Sequence, residues 1–311
     1  MIKINITSRI VDDFYDSIIK LFDKKLTKKK KKKVQWEIET SDIDKLLKKK
    51  LSNFKQDITL EHLIKADYNY MKKLVEFIDK NSERCKLSKK EKDYFLTMYQ
   101  RLKKAVFIKQ LDINVCPYCN RNYIFNFYKN SKDEATAQLD HFFDKKDYPY
   151  LAVSVYNLIP SCSTCNQRKS SKKEDIFYPY LESFNDSAKF KYKGIKSISK
   201  DENADFLDTS RVMLDIEAIK NEEKVKKHIE VFNLDKLYEN HKDIVSELLQ
   251  KREIYSDSYI DDLLNQYEGT LFKNREDLLR LITCGYVNDE DLPKRPLSKL
   301  IKDISEELKL V

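Results

Sequence analysis

Glycine is almost missing from this chain: three in 311 residues. A loop that cradles nucleotide phosphates needs glycines at fixed spacing ahead of a Lys-Ser/Thr pair, so a Walker loop is excluded. Any nucleotide-driven step would need a separate chain. With only six prolines as well, little interrupts helices, and helix should dominate outside the central segment. No apolar run approaches the roughly 20 residues of a membrane span, so no membrane association is expected. Residues 1–10 lack the apolar stretch of a secretory signal, and acidic residues follow at once. Cysteine is scarce too. Four of the six fall in two CxxC pairs, leaving Cys85 and Cys284 isolated, so a disulfide framework is not expected. A reducing, cytoplasmic compartment follows as the expectation. There is no internal repeat.

Charge, by contrast, is plentiful. Charged residues make up 36% of the chain, and the net charge of +8 is unevenly spread. Residues 1–115 carry +12, 116–190 carry +1 and 191–311 carry −5. A basic front third suits a polyanion, because each neutralised phosphate releases counterions. The same lysines would also serve as a solvated face, and Lys28–Lys33, six in succession, read as a solvated loop.

Hydrophobic spacing divides the chain into three parts. Residues 1–112 form a basic helical domain. Ile10, Val11, Phe14, Ile18 and Leu21 recur at helical spacing over 9–26. Further helices start at Ser41 and at Thr59, the latter running on through Met71 and Phe77. Ser88 and Glu91 make a capping box for a helix to about Val106. Residues 113–180 differ: Tyr123–Tyr128 reads as a strand, Asn130–Ala135 as a turn, and Thr136–Phe142 as the returning strand. A short strand then leads into Cys162, and a helix opens at the second cysteine pair. Residues 181–311 are mainly helical, with β-prone patches at Phe190–Ile198 and Val212–Ile216 and helices from Asn221 onward, including 257–267, 275–283 and 297–309. The fold class is α+β, mostly α.

The central segment carries the chemistry. Cys116-Pro117-Tyr118-Cys119 is separated by 42 residues from Cys162-Ser163-Thr164-Cys165. Each CxxC presents two thiolates to one side of a tight turn, and four close a tetrahedral zinc shell with no open position. Such a zinc is structural. It would clamp the two ends of a segment too small to have its own core. Between the pairs stand Leu139-Asp140-His141-Phe142 and Asn157-Leu158-Ile159-Pro160, and Asn166 follows Cys165.

This order resembles the HNH (ββα-metal, His-Me finger) endonuclease superfamily, in the variant whose third motif residue is asparagine. The resemblance covers about a sixth of the chain. It implies a zinc-stabilised ββα-metal core flanked by N- and C-terminal helical regions, and a metal-dependent endonuclease hydrolysing nucleic-acid phosphodiesters. It makes His141 the general base, Asp140 and Asn166 the ligands of a divalent ion, and Asn157 the residue that ties the loop and aims His141. Two oxygen ligands suit Mg²⁺ or Mn²⁺ better than zinc. Lys145, Lys146, Arg168 and Lys169 are candidate phosphate contacts. Asp140 and His141 are adjacent, and strand neighbours point to opposite faces, so the pair should sit where the strand ends.

The phrases Tyr-Pro-x-Leu and Asn-Leu-Ile-Pro-Ser-Cys are further similar to HNH nucleases of bacterial anti-phage systems, including the Septu type, which act with a separate ATPase subunit. DNA is favoured over RNA as the partner. A phage-type junction-resolving endonuclease is the alternative within the class. Outside it, the alternative is a non-catalytic, zinc-stabilised subunit that binds nucleic acid or a partner protein. His62, His228 and His241 read as structural histidines.

Overall fold

The computed structural model describes residues 2–23, 39–193 and 212–311. Lys28–Lys33 and the end of the first β-prone patch, 194–198, lie outside these. The described chain is mostly helical with three two-stranded sheets, an α+β fold dominated by helix. It divides into two compact units, each discontinuous in sequence. One comprises Asn5–Asp112 and Asn126–Pro160; the other comprises Met1–Ile4, Ile113–Phe125 and Ser161–Val311. Of the central segment 113–180, residues 126–160 belong to the first unit and the two ends to the second.

The first unit opens with α1 (Ser8–Asp23), whose Val11, Phe14 and Ile18 are buried along one stripe. α2 (Thr40–Leu51) buries Ile43, Leu47 and Leu51 in the same way. The helix expected from Thr59 through Phe77 is two: α3 (Leu60–Ile64) and α4 (Tyr68–Lys80). Asp67 explains the break. Its backbone is extended and its carboxylate accepts from Tyr70 N at 2.7 Å, a cap that restarts the helix. After a single turn, α5 (Ser82–Cys85), the capping box forms as read. Ser88 Oγ accepts from Glu91 N and Ser88 N donates to Glu91 Oε2, opening α6 (Lys89–Arg101). The helix stops at Arg101, short of Val106, because the buried Leu102 takes an extended conformation; α7 (Lys104–Gln110) follows.

The β part departs from its expected register. Asn130 and Ser131 both adopt positive φ and close a two-residue hairpin of the kind that matches strand twist. The turn is therefore two residues long, and β1 (Asn126–Lys129) returns as β2 (Lys132–Ala135), pairing Asn126 with Ala135 and Lys129 with Lys132. Asp140 and His141 are left to a separate strand, β3 (Gln138–His141), whose partner is β4 (Leu158–Ser161). Phe95, Met98, Tyr150 and Leu151 are buried in the same unit, with the Phe95 and Tyr150 rings 5.5 Å apart.

The second unit holds α8 (Ser163–Lys169) and an antiparallel pair, β5 (Ala188–Lys193) with β6 (Met213–Ala218). The remainder is helical: α9 (Glu222–Phe232), α10 (Leu234–Tyr238), α11 (Lys242–Ile254), α12 (Asp257–Tyr267), α13 (Arg275–Thr283) and α14 (Ser298–Glu307). Asn233, in the left-handed region that ends helices, separates α9 from α10. Phe177, Phe184, Phe190, Phe232 and Tyr238 form the core, Tyr238 packing on Phe190 at 4.4 Å. Lys299 and Asp303 make a fully buried ion pair at 2.6 Å, and the same carboxylate oxygen also accepts from Phe190 N. Among the described residues, no helix is long and apolar enough to cross a membrane.

Candidate zinc cluster and Asp-His strand

Cys116, Cys119, Cys162 and Cys165 are all buried, and their sulfurs lie within 4.8 Å of one another. The first pair sits in a tight reversal. Val115 bridges Tyr123, Cys116 N donates to Asn122 O, and Asn120, at φ +48°, turns the chain so that its N–H reaches Cys116 O. The second pair is helical: Cys162 precedes the first residue of α8, and Cys165 is one turn along, where Asn166 N closes on Cys162 O.

Two donors point at sulfur. Arg121 N reaches Cys119 Sγ at 3.4 Å, and Asn122 Nδ2 reaches Cys162 Sγ at 3.3 Å. Donation from the Cys116, Cys119 and Cys165 thiols, with help from Asn122, pulls Cys162 below the ordinary thiol range. Burial pushes Cys116 above it. Donation from Cys116 lowers Cys119 as well, while the other three thiols raise Cys165. Zinc–sulfur bonds of about 2.3 Å put tetrahedral sulfurs about 3.8 Å apart, so four soft donors gathered here fit zinc.

The reversal is bolted down from the C-terminal side. Tyr238 Oη donates to Cys119 O at 2.6 Å, and His228 Nε2 to Tyr118 O at 3.0 Å. Asn120 uses every polar atom it has: Nδ2 donates to Leu292 O, Oδ1 accepts from Lys299 N, and its carbonyl accepts from Leu297 N. His228 is completely buried, which drives its pKa well below the usual imidazole range. It is a structural histidine, as read. His62 is another, its Nδ1 meeting Thr59 in the cap of α3.

In the first unit, β3 ends at His141, so the Asp-His pair does stand at a strand terminus. Asp140 is 3% exposed and His141 7%. His141 Nε2 lies 3.0 Å from Ala152 O. A carbonyl only accepts, so Nε2 carries the proton and the basic lone pair of the neutral ring is on Nδ1. Tyr99 packs edge-on against the imidazole at 4.5 Å, and its hydroxyl donates to Leu139 O. Burial, with Asp140 adding to it, raises the Tyr99 phenol to about 12, so it stays neutral. Asn157 is wholly buried. Its Oδ1 accepts from Phe143 N at 2.7 Å, and its Nδ2 donates to Phe143 O and Leu151 O. Those bonds fix the backbone just past His141.

Asn166 belongs to the other unit, half-buried on α8. Lys146 is exposed, Arg168 half-buried, and Lys169 buried. Two neighbours of His141 were not singled out from sequence. Tyr99 sits at ordinary core spacing in α6, and the Ala152 carbonyl carries no side-chain signature.

No family model matches the chain, and no solved structure matches it. Among curated proteins it is similar to the Septu protein PtuB of Bacillus thuringiensis, 29% identical over 140 residues, 40% of this chain and 51% of that protein. The chain spans about half the length of the curated relative it matches.

Proposed function

We propose that the chain is a metal-dependent HNH endonuclease that hydrolyses nucleic-acid phosphodiesters, DNA in preference to RNA, within a bacterial anti-phage defence system of the Septu type. The observation that carries the reading is the setting of His141. It ends a strand beside Asp140, its Nε2 proton is held by the Ala152 carbonyl, and Asn157 fixes the next turn of chain. An imidazole tied in this way offers Nδ1 as the base. Nδ1 would take the proton of a water as the water attacks phosphorus in line.

Asp140, an oxygen donor, would be a ligand of a Mg²⁺ or Mn²⁺ ion, which when bound neutralises charge on the scissile phosphate and the leaving oxygen. The four cysteines would hold a separate zinc with no part in the reaction. Similarity to PtuB supports the defence role, and an ATPase, if the system uses one, would be another chain. The near-complete burial of Asp140 and His141 favours the second reading, a non-catalytic subunit in which the pair is structural.

Plasmid nicking decides between them. Wild type with Mg²⁺ or Mn²⁺ should cut and His141→Ala should not; equal activity of the two at saturating metal would refute the assignment.

A further inference from the structure

Lys104 and Lys145, 41 positions apart in the chain, bring their ammonium groups to one aromatic ring. Lys104 Nζ is 3.9 Å from the centre of Tyr99, and Lys145 Nζ is 4.5 Å from it. The two nitrogens are therefore no more than about 8.4 Å apart. The same ring packs on His141 at 4.5 Å, so both charges flank the Asp-His strand from within one unit.

Two other lysines of this unit have carboxylate partners: Lys65 pairs with Asp12 and Glu61, and Lys109 with Asp133. Among the described residues, neither Lys104 nor Lys145 has a carboxylate within ion-pair distance. Both lysines are half-buried, Asp144 and Asp140 act on Lys145, and attraction to the Tyr99 ring offsets only part of the cost of holding like charges this close. An anion placed between them would remove the deficit.

We propose that Lys104 and Lys145, presented by Tyr99, form a seat for backbone phosphate of the polynucleotide beside His141. Taking the anion to be a polynucleotide rests on the nuclease reading. Burial lowers both amines; Lys145 lowers Lys104 further, while Asp144 and Asp140 act against the shift at Lys145. Phosphate is the fitting class because two point-charge donors demand a multivalent oxyanion rather than a planar carboxylate fork.

The test is binding rather than cleavage. Anisotropy of a short fluorescein-labelled duplex is followed from about 50 to 200 mM salt with no added divalent ion, so that zinc is retained and no strand is cut. Lys104→Ala and Lys145→Ala should each lower the salt slope by about one and weaken binding about eightfold at about 0.1 M salt. Lys104→Arg should bind near wild type. Lys73→Ala, which removes the same charge from the exposed face of α4, should too. Circular dichroism confirms that each variant folds.

An unchanged slope in Lys104→Ala, or an equal loss in Lys73→Ala, overturns the seat. So does a Lys104-dependent uptake of inorganic phosphate with duplex affinity intact, which would assign the seat to the free anion. None of these results touches the nuclease reading, which stands or falls on cleavage by His141→Ala.

Discussion

In each unit a tyrosine hydroxyl and a histidine Nε2 donate to backbone carbonyls around the residues of interest. Tyr238 and His228 hold Cys119 and Tyr118; Tyr99 and His141 hold Leu139 and Ala152. The direction differs. His228 reaches in from a distant helix and is sealed at full burial, a clamp with no further task. His141 is itself carried by the strand, and its tether fixes a tautomer. The histidine that ends a strand beside a carboxylate is the candidate for chemistry.

The most damaging way to break this comparison is through the cysteines. Zinc bound by a closed thiolate shell contributes on the order of 10–16 kcal/mol of apparent folding energy. Cys162→Ser should therefore release the metal and unfold the second unit. Metal analysis and thermal melts check this, with one zinc per wild-type chain expected and Cys284→Ser, at an exposed site, unchanged.

Next is His141→Ala. Losing a positioned base costs about 10²–10⁴ in rate, while zinc content and melting temperature should stay near wild type. A large loss of stability instead would make His141 a clamp like His228.

Asn157→Ala should be milder in rate and harsher in stability. Three hydrogen bonds to buried backbone groups are lost, about 2–4 kcal/mol in a denaturant melt.

His228 gives a pH signature. Its pKa is depressed on folding, so the unfolded chain binds the extra proton, and stability falls as pH drops below the unfolded value near 6.5. The slope contributed is at most about 1.4 kcal/mol per pH unit. Urea melts of wild type and His228→Gln between pH 7 and 5 should differ in that slope. Parallel curves would mean that the imidazole is solvated.

Smallest is Ser88→Ala, which removes half of a capping box and should cost about 1 kcal/mol, without effect on zinc.

Helices were legible wherever an apolar stripe met a cap, as in α1 and α6, and the cysteine pairs were legible from spacing alone. The register of the hairpin was not. Asn130 and Ser131 both had to enter the left-handed region, and neither is a glycine to announce it. Nor was the restart at Asp67, where one carboxylate divides an otherwise continuous helical pattern. For the site, Asp140, His141 and Asn157 came from motif order. Tyr99, Lys104 and the Ala152 carbonyl depend on α6, α7 and the loop before β4 meeting at β3, a non-local fact no short window contains.

Asn120 also imposes a timetable. The ribosome delivers Cys116–Cys165 long before Leu292, Leu297 and Lys299, the residues that satisfy its side chain and carbonyl. A nascent chain can gather four sulfurs early. It cannot lock the turn that carries two of them until the last helix is made, so a metal bound during synthesis would be held more loosely than in the finished protein.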